Sequence, residues 1–90
     1  MLFRSDGTAY DQATVIFQEA IKAIKHLGGD LKDVVRVRMF VKDGADSDDV
    51  GQAMKNAMGD TYPAATMIIG AKFIRAEMKV EIEVDALVYE

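Results

Sequence analysis

Apolar residues recur at spacings of three and four from Tyr10 to Leu27, at Ala13, Ile16, Phe17, Ala20, Ile21, Ala23, Ile24 and Leu27. That period lays them along one stripe and predicts an amphipathic helix. Gly28-Gly29 supplies its end, and Lys22, Lys25 and His26 crowd the last turn, where cations complement the exposed carbonyls and the negative end of the dipole. The period then shortens to two. Val34-Val35-Arg36-Val37-Arg38-Met39-Phe40-Val41-Lys42 is rich in β-branched residues and predicts a strand with Val35, Val37, Met39 and Val41 on its core face. Arg36 and Arg38 fall on the other face.

Lys42-Asp43-Gly44-Ala45 reads as a turn, after which Asp46 or Ser47 is placed to cap a second helix. That helix carries Val50, Ala53, Met54, Ala57 and Met58 on one side and stops at Gly59. Tyr62, just before a proline, is biased toward extended backbone, and Pro63 is confined to the first position of a strand or to an edge. A strand over residues 64–69 follows. In residues 79–88, Val80, Ile82, Val84, Ala86 and Val88 alternate with Glu81, Glu83, Asp85 and Leu87, and Tyr89 continues the second set. One face of this last strand is apolar and the other starts as a ladder of carboxylates.

The predicted order is helix, strand, helix, strand, strand, and each helix has one apolar face. This is an α+β layer with both helices on one side of a mainly antiparallel sheet. Opposite charges on neighbouring strands attract by roughly 0.2–1 kcal/mol per pair, so the basic face of the first strand is expected beside the acidic face of the last. Phe40 and Leu87 share that face with the charges, which leaves it for water or for a second copy of the chain.

Composition narrows the classes. Ninety residues without repeats, low-complexity segments or linkers predict a single domain over residues 1–90. A chain of this size buries only about 60–65% of its extended surface, so help from a partner chain is expected. Half the residues are apolar and 29% charged, as in an ordinary folded domain. No stretch approaches the roughly 18 apolar residues of a membrane span, and residues 1–5 have no apolar run behind them to act as a leader. A cytoplasmic location is expected.

The absence of cysteine excludes disulfides, thiolate metal sites and cysteine nucleophiles, and a single histidine excludes zinc sites built on several imidazoles. No cofactor is expected. The net charge of −4 opposes a phosphate backbone and argues against nucleic acid as a partner. Asp43, Asp46, Asp48 and Asp49 lack the alternating spacing of a calcium loop and fit the first turn of a helix instead. His26 reads as a helix-end residue, and Met39, Met54, Met58 and Met78 as core filling.

Three runs carry more specific information: Asp33-Val34-Val35-Arg36-Val37-Arg38-Met39-Phe40-Val41-Lys42-Asp43, then Tyr62-Pro63-Ala64-Ala65-Thr66, then Val80-Glu81-Ile82-Glu83-Val84. In order and spacing they resemble the Rid family, also called the YjgF or endoribonuclease L-PSP family, with a match from Asp6 onward. The resemblance implies a chorismate-mutase-like α+β fold in a homotrimer. The sheets of three subunits would form a central barrel, the helices would lie outside, and small-molecule pockets would lie between subunits. The charged sheet face would then be barrel interior.

Enzymes of that family hydrolyse reactive enamines and imines to ketoacids and ammonia. The resemblance implies an arginine, in a Pro-Ala-Arg-Ser/Thr motif, that grips the substrate carboxylate, and a glutamate on the last strand that positions the attacking water. Glu81 matches the glutamate and is the candidate catalytic residue. The arginine position is Ala65, which offers neither charge nor donor. Losing a buried bidentate arginine removes several kcal/mol of anion binding, so efficient deamination of 2-imino acids is not expected.

Three readings stay open: an enamine or imine hydrolase using Glu81, a metabolite-binding protein without turnover, and a truncated inactive scaffold. The ribonuclease activity recorded in the family's other name fits poorly with an acidic chain lacking a histidine pair. Glu81 has a second reading, cross-strand pairing with Arg36 or Arg38. Thr66, after Ala65 in the ligand-binding motif, is either a hydroxyl donor to the ligand or simply a good strand residue. Lys72 and Arg75, between the last two strands, are either solvated loop charges or cations within reach of an anion at a subunit interface. Relative to the family the chain is N-terminally shortened, with residues 1–5 expected to be the remnant of a strand and the pocket correspondingly open.

Overall fold

A computed structural model describes residues 7–88; residues 1–5, expected to be the remnant of a strand, and Tyr89 lie outside that range. The first helix, α1 (Ala9–His26), starts one residue ahead of the periodic stripe because Thr8 caps it. The Thr8 hydroxyl accepts from the Asp11 N–H at 3.1 Å, and the Asp11 carboxylate accepts from the Thr8 N–H at 3.3 Å, a reciprocal pair that satisfies two otherwise orphaned donors. At the other end Gly28 takes φ 96°, where a side chain would be strained. The Gly28 N–H then donates to Lys25 and the Gly29 N–H to Ile24, which occupies carbonyls the helix leaves free. Leu27, counted in the apolar stripe, falls in this unwinding turn and is 82% exposed.

A single turn at Leu31–Asp33 leads into β1 (Val34–Val41). Another, at Gly44–Asp46, leads into α2 (Ser47–Met58), followed by β2 (Ala64–Ile69) and β3 (Val80–Ala86). The expected side-chain cap of α2 by Asp46 or Ser47 is not formed. Asp43 caps the preceding turn through the Ala45 N–H, so the chain is already coiled when α2 begins, and the Ser47 hydroxyl donates back to the Gly44 carbonyl. Gly59, at φ 57°, ends α2.

The three strands lie in the order β2-β1-β3, with both helices on one face, in an α+β layer. The sheet is mixed. β3 runs antiparallel to β1, while α2 carries the chain back so that β2 runs parallel to it. Phe17, Val37, Val41, Val50 and Val80 are wholly buried between the layers, and Met39 and Met58 join them, as expected of core-filling methionines. Burying each large apolar side chain contributes about 1.5–3 kcal/mol.

The core face of β1 corrects one expectation. Val34 is buried and Val35 is 42% exposed, because a bulge between Val34 and Arg36 places two β1 residues against one residue step on β3. The extra residue shifts the phase of the alternation, so Val35 turns outward and the regular pattern resumes at Val37.

Gln12 is the buried polar residue of the core. Its Nε2 donates to the Glu77 carbonyl at 3.1 Å and the Gly7 carbonyl at 3.4 Å, and its Oε1 accepts from the Lys79 N–H at 2.9 Å. These bonds satisfy the amide and tie α1 to the start of β3.

Candidate functional site

The face of the sheet away from the helices is set by strand register. Thr66 stands level with Arg38, and Ile68 with Phe40, while Phe40 lies opposite Glu81, Arg38 opposite Glu83, and Arg36 opposite Asp85. Residues paired in this way share a face, so Thr66 and Glu81 are on the open side. The expected charge pairing is present. Arg36 donates from Nε to Asp85 at 2.8 Å, and Arg38 holds Glu83 at 2.8 Å. Both pairs are about half exposed, which limits each to roughly 0.2–1 kcal/mol.

Glu81 is treated differently. Both arginines are engaged by other carboxylates, its cross-strand neighbour is Phe40, and it has no ion pair among the described residues. The pairing of Glu81 with Arg36 or Arg38, one of its two sequence readings, is therefore not made.

The segment between β2 and β3 crosses the end of β1, where the Gly70 and Ala71 N–H groups both donate to the Val41 carbonyl. Lys42 pins it further by donating from Nζ to the Ala76 carbonyl at 3.0 Å. Lys72, Phe73 and Met78 of this segment meet Phe40, Glu81 and Glu83 around a cleft of about 490 Å³. Ile16 of α1 and Ile82 of β3 also line it, so residues from both faces of β3 contribute. The cleft therefore follows the outer margin of β3, where that strand has no neighbour among the described residues.

Arg75 does not reach this cleft. Its Nε donates to Glu77 at 2.8 Å, and the Glu77 carboxyl is held below the usual glutamate range, first by its own backbone N–H and then by the Arg75 guanidinium. Met78, grouped by sequence with the core methionines, lines the cleft instead.

Ala65 is placed apart. It is level with Val37 and so lies on the helix side of the sheet, on the strand beyond β1 from Glu81. Ala65 and Glu81 are separated by three residue steps along β1 and two strand spacings across it, roughly 10 Å in each direction. Within one chain Thr66 and Glu81 share a face, and Ala65 joins neither. Two contributors escaped the sequence reading: Phe73, which forms an apolar wall, and Gln12, which fixes the segment leading into Glu81. The signal for Gln12 was its position in the apolar stripe, three residues after Ala9 and four before Ile16.

His26 and the Asp43, Asp46, Asp48 and Asp49 group stay at helix ends, away from the cleft. No group of metal-ligating side chains occurs among the described residues, nor does any helix there long and apolar enough to cross a membrane.

Residues 2–88 match the Endoribonuclease L-PSP family, and the chain belongs to that family. A solved member of the YjgF/YER057c/UK114 family from Mycobacterium tuberculosis is 32% identical, with a TM-score of 0.82 over 88% of this chain and 67% of its own. A YjgF-family structure from Neisseria meningitidis shares the fold at a TM-score of 0.87 and 20% identity, over all of this chain and 76% of its own. The chain spans about two thirds to three quarters of those structures. No curated protein matches it.

Proposed function

We propose that this protein is a homotrimer whose clefts between subunits hold a small metabolite, and that it does not efficiently deaminate 2-imino acids. One observation carries the reading: Ala65 and Glu81 lie on opposite faces of the sheet and on opposite sides of β1. A single chain does not gather the positions of the motif, so a site containing both draws them from two copies. The exposure of β2 supports assembly, since Ile68 and Ile69 are both about half exposed on an edge strand, one on each face.

Poor deamination follows from charge. At the motif position Ala65 has no donor for a carboxylate, and Arg36 and Arg38 are already held by Asp85 and Glu83. Drawing either arginine onto a ligand would strip a carboxylate of its partner. A second reading, hydrolysis of enamines or imines that carry no carboxylate, is favoured by Glu81, which has no ion pair among the described residues and is placed to accept a proton from water.

The test is ammonia release from freshly generated 2-iminopropionate by the protein, by Ala65→Arg and by Ala65→Arg/Glu81→Ala. The expected result is a background rate for the unaltered protein, a gain in Ala65→Arg, and loss of that gain in the double variant. Rapid turnover by the unaltered protein would contradict the argument from charge.

A further inference from the structure

The segment between β2 and β3 is fixed at both ends and weakly held in the middle. At its front the Gly70 and Ala71 N–H groups donate to the Val41 carbonyl at 2.8 and 3.2 Å, and Gly70 turns the chain at φ 89°. At its back the buried Gln12 amide accepts from the Lys79 N–H at 2.9 Å and donates to the Glu77 carbonyl at 3.1 Å. Residues 72–76 lie between these anchors. Lys72, Ile74, Arg75 and Ala76 are exposed, and Phe73, partly buried, lines the cleft. Among the described residues, one bond ties this stretch to another element: Lys42 donates from Nζ to the Ala76 carbonyl at 3.0 Å. Arg75 is joined to the back anchor, its carbonyl accepting from the Met78 N–H at 3.2 Å and its Nε donating to Glu77 at 2.8 Å.

We propose that residues 72–76 form a strap that opens and closes about the Gly70 turn, and that Lys42 is the latch that keeps it shut. The proposal rests on the reading of this cleft as the ligand site and adds a route of entry, since lifting the strap takes Phe73 out of the cleft wall. Exposed hydrogen bonds and little buried apolar surface mark the parts of a fold that open at low cost. The strap has both features: Phe73 is the large apolar side chain that it partly buries, while Ile74 is fully exposed. Water competes for an exposed ammonium, so the latch adds little net stability and the open state is expected at about 0.1–10% of the population. Gln12 is shielded from that competition, which makes the back anchor the firmer one.

Lys42 is a positioning residue. It lines a separate hollow with Asp43, Ala76, Glu77 and Lys79 and is not part of the cleft wall, so its influence on a ligand passes through the strap.

Amide hydrogen exchange of the full chain, followed by nuclear magnetic resonance without a ligand, tests the proposal. The Met78 N–H, which bridges anchor and strap, is expected to be protected at least about tenfold less than the Gly70 and Lys79 N–H groups at the anchors. Lys42→Met should lower Met78 protection by a further factor of about three to ten and leave Gly70 and Lys79 unchanged, and Lys42→Arg, which keeps a cationic donor, should restore most of it. The chain has no cysteine, so Met78→Cys places a single thiol on the cleft wall, and its labelling by iodoacetamide should accelerate in the Lys42→Met background by the same factor. Met78 protected as strongly as Lys79, or a Lys42→Met variant in which the buried Val37 and Met39 amides loosen as much as Met78, would overturn the strap. Unchanged Met78 protection and thiol labelling in Lys42→Met would overturn the latch. No ligand enters these measurements, so a rigid strap would count against this proposal alone, while the reading of the cleft stands or falls on ammonia release.

Discussion

Phe40 stands directly across the β1–β3 pair from Glu81, and among the described residues this leaves Glu81 without the cation that Glu83 and Asp85 each hold. Three carboxylates alternate along one strand, yet only two of them face arginines. The third sits at the end where the β2–β3 segment folds over and forms a cleft.

Removing these carboxylates one at a time should therefore have unequal effects. Glu83→Ala and Asp85→Ala are expected to lower stability by about 0.2–1 kcal/mol each, and less in 1 M salt, whereas Glu81→Ala should be neutral. Urea unfolding midpoints of the three variants at low and high salt check this. An equal loss in all three would mean that Glu81 has a partner.

The bulge in β1 predicts a contrast between adjacent valines. Val34→Thr places a hydroxyl in the core and is expected to cost about 1–3 kcal/mol, while Val35→Thr should stay within about 0.5 kcal/mol. Denaturant unfolding of the pair decides which valine is inside.

Gln12→Leu removes the partner of the Glu77 carbonyl and the Lys79 N–H together. Each backbone group left buried and unsatisfied costs about 1–3 kcal/mol, so the variant should be clearly less stable. Exchange of the Lys79 amide should also accelerate beyond what the global loss explains.

Glu77 titrates below the ordinary glutamate value in the folded chain. Its contribution to stability is therefore intact above the ordinary carboxylate range and is lost as the pH falls through the folded-state value. A carboxyl-carbon titration by nuclear magnetic resonance should place its midpoint below that of an ordinary glutamate, and Arg75→Gln should move it upward. A midpoint at or above that of an ordinary glutamate contradicts the assignment.

Much of the fold was legible because periodicity survives burial. The stripe through Ala13 and Phe17, the switch to period two at Val34, and the glycines at 28 and 59 mark elements with physical causes that act locally. That the basic face of β1 meets the acidic face of β3 followed from charge patterning, but which carboxylates Arg36 and Arg38 take is set by register. The bulge did not, because Val34 and Val35 are identical and only the partner strand decides which one turns inward. The cap of α2 was misplaced because Asp43, Asp46 and Ser47 are all competent, and the choice depends on a short turn that no periodicity reveals.

Of the candidate site, alternation along the last strand supplied the face of Glu81 but not those of Ala65 and Thr66. Glu81, Thr66 and Ala65 are named by motif, and only register shows that the first two share a side and the third does not. Lys72 and Arg75 look equivalent in sequence, three residues apart. The neighbouring Glu77 removes one of them from consideration.

Equilibrium sedimentation at micromolar concentration tests most directly the claim that the site is built from more than one copy. The account predicts a single species of three times the 9.9 kDa chain mass. A stable species of 9.9 kDa would contradict it.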